Sequence, residues 1–165
     1  MAKDIMPQQG WNTIVTANDS TAKEELGIIR WTMDSTYGLR AYRYMLAAAD
    51  TTVANGTALS FSDTYKFTCT LDISDADQNQ PAGVGVGAIT AEYYGWVQCY
   101  GYHEAVLTDA GDDIADGDSV ILHASTNGVV DRTASGTAAV CKPIGIAVAD
   151  DIDAADTVAT QITCI

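Results

Sequence analysis

From Ile28 onward the chain is built of short runs of β-branched and aromatic residues separated by turn residues, the pattern of strands rather than helices. Ile28-Ile29-Arg30-Trp31-Thr32 and Leu39-Arg40-Ala41-Tyr42-Arg43-Tyr44-Met45 flank the turn-prone Asp34-Ser35-Thr36-Tyr37-Gly38. Ala58 to Phe61, Tyr65 to Leu71, Gly83 to Ile89, Trp96 to Tyr100, Ser119 to His123, Val129 to Val130, Ile144 to Val148 and Val158 to Cys164 continue the series. Asn127-Gly128 is a hairpin signal, because both residues tolerate a positive φ. Asp72 to Pro81 reads as an exposed loop. About eight to ten short strands, with turn signals every 8–12 residues, predict an all-β barrel or sandwich.

Residues 1–20 differ. Ile5, Met6, Pro7, Trp11, Ile14 and Val15 lie among Gln, Asn, Thr and Gly with neither a helical stripe nor alternation. This segment reads as an extended N-terminal arm that packs on its own domain or anchors to a partner, and 21–165 reads as the β domain. Thr21 to Leu26 carries the one helix signal, a capping-box pairing of Thr21 with Glu24 ended by Gly27.

A weak internal repeat supports a single β body. Tyr42-Arg43-Tyr44-Met45 leads to Val53-Ala54-Asn55-Gly56 and an apolar run. Trp96-Val97-Gln98-Cys99-Tyr100 leads to Ile114-Ala115-Asp116-Gly117 and another.

Charge narrows the class of partner. Eight Lys plus Arg against 22 Asp plus Glu give a net −14, which repels nucleic-acid phosphates. Residues 1–50 hold five basic against six acidic side chains, whereas 101–165 hold two against eleven. That split suggests a partner-facing surface in the front half and a solvent-facing one in the rear, the alternative being acidic loops that merely keep the protein soluble. No apolar run is long enough to span a bilayer as a helix, and the first residues lack a secretory h-region. Cys69, Cys99, Cys141 and Cys164 are widely spaced inside apolar runs, as expected of reduced, buried thiols made in a cytoplasm.

Candidate chemistry is sparse. His103 and His123 sit on strand-like segments with no Gly-x-Ser-x-Gly nearby, so structural roles are expected. Gly83-Val84-Gly85-Val86-Gly87 lacks the following helix that a phosphate site needs, and reads as a strand packed against another backbone. Asp112, Asp113, Asp116 and Asp118, and likewise Asp150, Asp151, Asp153 and Asp156, lack the calcium-loop register and read as solvated turns. No metal, cofactor or small-molecule substrate is expected.

Gly83-Val84-Gly85-Val86-Gly87-Ala88-Ile89-Thr90, followed by Tyr93-Tyr94-Gly95-Trp96-Val97-Gln98, resembles a signature of small tailed-phage capsid decoration (cement, head-stabilising) proteins. Tyr42-Arg43-Tyr44 and Pro143-Ile144-Gly145-Ile146-Ala147-Val148 extend the resemblance over about residues 30–165. It implies a β-barrel-like, non-enzymatic virion protein, often a homotrimer, on the outer capsid surface with the major capsid protein as partner. By position and composition, Ile5, Met6, Pro7, Trp11 and Ile14 are the expected capsid anchors. Arg30, Arg40 and Arg43, in the less acidic front, are the expected partners of shell carboxylates, or else stack on neighbouring rings. A trimeric host-binding or tail-fibre-type adhesion domain is the alternative, and a small trimeric β-hydrolase is a third reading.

Overall fold

The computed structural model describes residues 14–63, 67–73, 80–109, 113–123, 125–133, 142–150 and 156–165. The fold is all-β. Its strands are β1 (Ile29–Asp34), β2 (Gly38–Ala47), β3 (Ala58–Asp63), β4 (Thr68–Thr70) and β5 (Pro81–Gly85), then β6 (Tyr94–Leu107), β7 (Ser119–Leu122), β8 (Val130–Arg132), β9 (Pro143–Ala147) and β10 (Thr157–Thr163). Together they make one continuous hydrogen-bonded sheet.

That sheet closes on itself twice. β2 pairs antiparallel with β6, β6 with β5, β5 with β3 and β3 with β4, and β4 returns parallel to β2. The second circuit leaves the far half of β6 through β10, β9, β7 and β8, all antiparallel. A parallel bridge from Val130 to Thr108 brings it back to the end of β6. Two small barrels thus share the 14-residue strand β6. Closure pairs the edge groups that an open sheet would leave exposed to a foreign strand. β1 lies outside both circuits, antiparallel to β2, and pairs with no second strand among the described residues.

The two barrels repeat one another in detail. In the first, Gly56 N–H donates to Gly85, Gly85 N–H to Thr57, and Ala54 N–H to the Thr57 hydroxyl. In the second, Gly117 N–H donates to Ala147, Ala147 N–H to Asp118, and Ala115 N–H to the Asp118 carboxylate. Leu59 faces Gly83 and Ser60 faces Pro81 across a bulge; Val120 faces Gly145 and Ile121 faces Pro143 across the same bulge. A Cβ on Gly83 would lie 2.2 Å from the Gln98 carbonyl oxygen, and one on Gly145 would lie 2.2 Å from that of Gln161. Both glycines therefore exist because a neighbouring backbone occupies the side-chain space.

The interiors match as well. Met45, Val53, Leu59, Phe61, Cys69 and Ala82 fill the first barrel. Val106, Ile114, Val120, Leu122, Val130 and Ile144 hold the corresponding places in the second. The repeat visible in the sequence is confirmed at its turns and corrected at its leading strand. In register, Tyr42 to Met45 corresponds to His103 to Val106, the far half of β6, rather than to Trp96 to Tyr100. Gly101, at φ 95°, lets β6 continue past the glycine that interrupts its run of strand formers.

Other expectations shift too. Thr21 to Leu26 forms bends and a turn, not a helix. Its backbone is drawn to β2 instead: Lys23 N–H donates to the Tyr44 hydroxyl at 3.1 Å, and Gly27 N–H to the Tyr44 carbonyl at 2.8 Å. β5 begins at Pro81 and ends at Gly85, earlier than its valines suggested. β7 and β8 form the expected antiparallel hairpin, with Gly128 at φ 80° before β8. Cys69, Cys99 and Cys164 are buried free thiols, and burial pushes Cys69 and Cys164 up to about 12. Cys141 lies outside the described residues.

Candidate functional site

The front of the molecule is organised by a strap, residues 14–28, laid across the outer face of β2 and β6. That face carries Tyr42, Tyr44 and Trp96, and Val15, Leu26, Ile28 and Val86 pack against them. Tyr44 and Trp96 meet at 5.1 Å between ring centroids, tilted by 59°. The strap is pinned by paired backbone bonds between Asp19 and Tyr94, and by a reciprocal pair between the Asn18 amide and Thr90. Residues 14–20 thus pack on their own domain.

The strap begins at Ile14, which is 65% exposed. On β1, Trp31 is 44% exposed, and Leu39 of β2 is also exposed. Trp31 lies against Tyr100, with 5.4 Å between ring centroids. The β1–β2 turn is locked by Asp34, whose carboxylate accepts N–H bonds from Thr36 and Tyr37 at 2.8 and 3.0 Å. Those bonds lower its pKa.

Ile5, Met6, Pro7 and Trp11 lie outside the described residues. The three arginines do different things. Arg30 sits 3.6 Å from the Glu24 carboxylate. Arg40 lies over the Tyr37 ring at 4.5 Å, and Tyr37 stacks on Tyr102 at 4.9 Å. Arg43 is 8% exposed, with its guanidinium 5.4 Å from the Phe61 ring centroid. Arg43 is therefore an interior side chain held by a cation–π contact, which leaves Arg30 and Arg40 as the front cations of this trio.

Beneath the strap's first residues is a cavity of about 230 Å³, lined by Val15, Val86, Tyr37, Arg40, His103 and Glu104 among others. The Tyr37 hydroxyl donates to Glu104 at 2.6 Å, and that carboxylate raises the Tyr37 pKa. Gln98, fully buried, donates through its amide nitrogen to the carbonyls of Tyr100, Gly101 and Tyr102. It staples β6 where the strand passes from one barrel to the other.

His103 Nδ1 accepts from the Ala105 N–H at 3.2 Å, and its ring also bonds the Gly85 backbone. Burial lowers its pKa, so the ring is neutral at neutral pH. His123 Nδ1 accepts from Ser125 and Thr126 N–H groups, while Nε2 lies 3.6 Å from Asp109. Both imidazoles are committed to local bonds. A general base needs a ring nitrogen free to take a nucleophile's proton.

At the rear, Asp118 accepts from Ala115, Asp150 accepts from Asp116 at 2.8 Å, and Asp113 lies 3.9 Å from Arg132. These carboxylates close turns. No group of three or more His, Cys, Asp or Glu side chains among the described residues could hold a metal ion. The rear also exposes Ile146 at 50% and Val148 at 40%, which sequence reasoning passed over. Their signal was the alternation Ile144-Gly145-Ile146-Ala147-Val148, which cannot bury both faces of one strand.

The fold is a double β-barrel with one strapped aromatic face. No protein family matches the chain, and no curated protein does. Among solved structures it is similar to the N base of the head fiber gp8.5 of bacteriophage phi29. Sequence identity is 20%, coverage is 74% of this chain and 94% of that chain, and the TM-score is 0.45.

Proposed function

We infer that this chain is a structural protein of a tailed-phage virion. It binds the outer surface of the icosahedral capsid as a homotrimer and stabilises the shell by bridging major capsid protein subunits. The observation that carries the reading is the strap. Residues 14–28 clamp the front face, and this strap begins at an exposed Ile14. Residues 1–13, with Ile5, Met6, Pro7 and Trp11, are the segment that engages the shell. An extended segment adding to a sheet edge gains main-chain hydrogen bonds, and its alternate side chains set the register.

The resemblance of Tyr94-Gly95-Trp96-Val97-Gln98 to decoration proteins supports the same reading. These residues form the near half of β6, where Trp96 supports the strap and Gln98 the crossing between barrels. The protein performs no catalysis in this reading, consistent with both histidines being committed to local bonds. Three arms per trimer multiply a modest single-arm affinity, because each arm already bound raises the local concentration of the next. Arg30 and Arg40 contribute charge at the front, and the acidic rear faces outward.

Adding the purified chain to undecorated capsids tests this. The expected result is saturable binding and a raised shell-disruption temperature, both lost when residues 1–13 are deleted. A host-binding adhesin would leave the shell untouched, and that outcome would overturn the proposal.

A further inference from the structure

Three steps in the chain place Asn or Asp directly before Gly: Asn55-Gly56, Asp116-Gly117 and Asn127-Gly128. Such steps carry a latent reaction. The backbone nitrogen of the glycine can attack the side-chain carbonyl carbon of the residue before it, and glycine has no Cβ to obstruct the approach. The rate depends on how freely the two atoms reach attacking distance. A hydrogen bond on the glycine N–H holds the nitrogen back, because that bond must open first.

The fold treats the three steps differently. Gly56 N–H donates to Gly85 at 2.9 Å, and Gly117 N–H donates to Ala147 at 2.9 Å. These are the equivalent turn bonds of the two barrels, and each tethers its glycine to a neighbouring strand. Gly128 N–H makes no hydrogen bond among the described residues. Asn127 is exposed, and its side-chain amide has no partner among the described residues either. On one side the loop is pinned at Ser125 and Thr126, whose N–H groups bond His123 Nδ1. On the other side the Gly128 carbonyl accepts from Ala58 N–H at 2.9 Å. The Asn127–Gly128 amide lies between these two anchors.

We propose that Asn127 is a site of spontaneous deamidation, and that its conversion loosens the seam between the two barrels. The Gly128 nitrogen bonds to Asn127 Cγ, the Cγ–NH2 bond breaks, and ammonia leaves with the proton from Gly128 N–H. Water then opens the cyclic imide at one carbonyl to give aspartate, or at the other to give isoaspartate. Isoaspartate runs the backbone through one extra carbon and adds a negative charge directly before Gly128. That glycine is closely held: a Cβ on it would lie 3.1 Å from Leu71 and Thr57 side-chain atoms. The bond it makes to Ala58 joins the β7–β8 loop of the second barrel to the start of β3 in the first. A lengthened backbone moves the Gly128 carbonyl away from that partner.

The test follows the full chain, folded and in denaturant, at mildly alkaline pH, where loss of the amide proton speeds the attack. Acidic digestion and mass spectrometry then read the amide-to-acid mass gain at each asparagine. In denaturant Asn55 and Asn127 should convert at similar rates, since both precede glycine. In the folded chain Asn55 should slow by about three- to tenfold, as one hydrogen bond predicts, while Asn127 keeps close to its rate in denaturant. Asn127 slowed as much as Asn55 overturns the site. Asn127→Gln, at an exposed position, disfavours ring closure and should abolish the change there; a variant that still gains the charge in the same peptide overturns the assignment. In the isoaspartate fraction, hydrogen exchange at the Ala58 amide should accelerate. An Ala58 amide as protected as before overturns the link to the seam and leaves the deamidation standing.

Discussion

The two barrels share a plan and differ in their covering. The first wears a strap over Tyr42, Tyr44 and Trp96 and meets the second barrel through Val84. The second has no strap among the described residues and shows Ile146 and Val148 to solvent. Interior positions follow the fold and match between repeats, because closing the same small ring demands similar volume at each layer. Outer positions follow the neighbour. Where something lies on top, the side chains are aromatic; where nothing does, most have become small or polar.

The comparison breaks most sharply at Trp96. Trp96→Ala removes the ring on which the strap rests, and is expected to cost about 3–5 kcal/mol in chemical denaturation. The counterpart Ala159 already lacks that ring without harm to its barrel. If Trp96→Ala cost under about 1 kcal/mol, the strap would not depend on that face. Limited proteolysis should show cleavage within 14–28 rising in the same variant.

Next come the paired glycines. A Cβ at Gly83 or Gly145 runs into a carbonyl oxygen of the adjacent strand, and Gly83 also holds φ 141°. Gly83→Ala should therefore destabilise by about 2–4 kcal/mol, and Gly145→Ala by about 1–3 kcal/mol, as overpacking alone predicts. The midpoints of thermal unfolding would check the order; a reversed order would deny the equivalence of the two crossings.

The smallest effect belongs to Cys69, whose counterpart is Val130. Because the second barrel accepts valine at that place, Cys69→Val should change stability by less than about 1.5 kcal/mol. Cys69→Ser buries a hydroxyl at a fully enclosed site and should cost about 1–3 kcal/mol. A serine variant as stable as the valine one would show the position to be less enclosed than its neighbours indicate.

Much of this was legible along the chain. The β-branched runs announced β1, β2, β7 and β10, and the Val53-Ala54-Asn55-Gly56 and Ile114-Ala115-Asp116-Gly117 turns announced the repeat. Arg43 was legible only in part. Its neighbours Tyr42 and Tyr44 suggested stacking, yet its partner is Phe61 of a strand hydrogen-bonded to neither β2 nor β6 at that point. The capping pattern at Thr21 was real as a local preference, but Tyr44 offered those backbone groups better-placed partners. β6 was underestimated because Gly101 interrupts the run of strand formers, although a glycine at a bulge prolongs a strand as readily as it ends one. The rear patch was missed because alternation names two faces without saying which one will be covered.

Composition and local pattern by themselves determined that the chain is all-β, acidic toward its rear, and duplicated at its turns. These properties depend on neighbours a few residues apart, whose preferences act before any long-range contact exists. Only the tertiary structure decided that β4 returns parallel to β2, that β6 serves two rings, and that one barrel is strapped while the other is bare. Those choices join residues far apart in the chain, where the entropy of closing a long loop is offset only once a whole ring and its core have formed together.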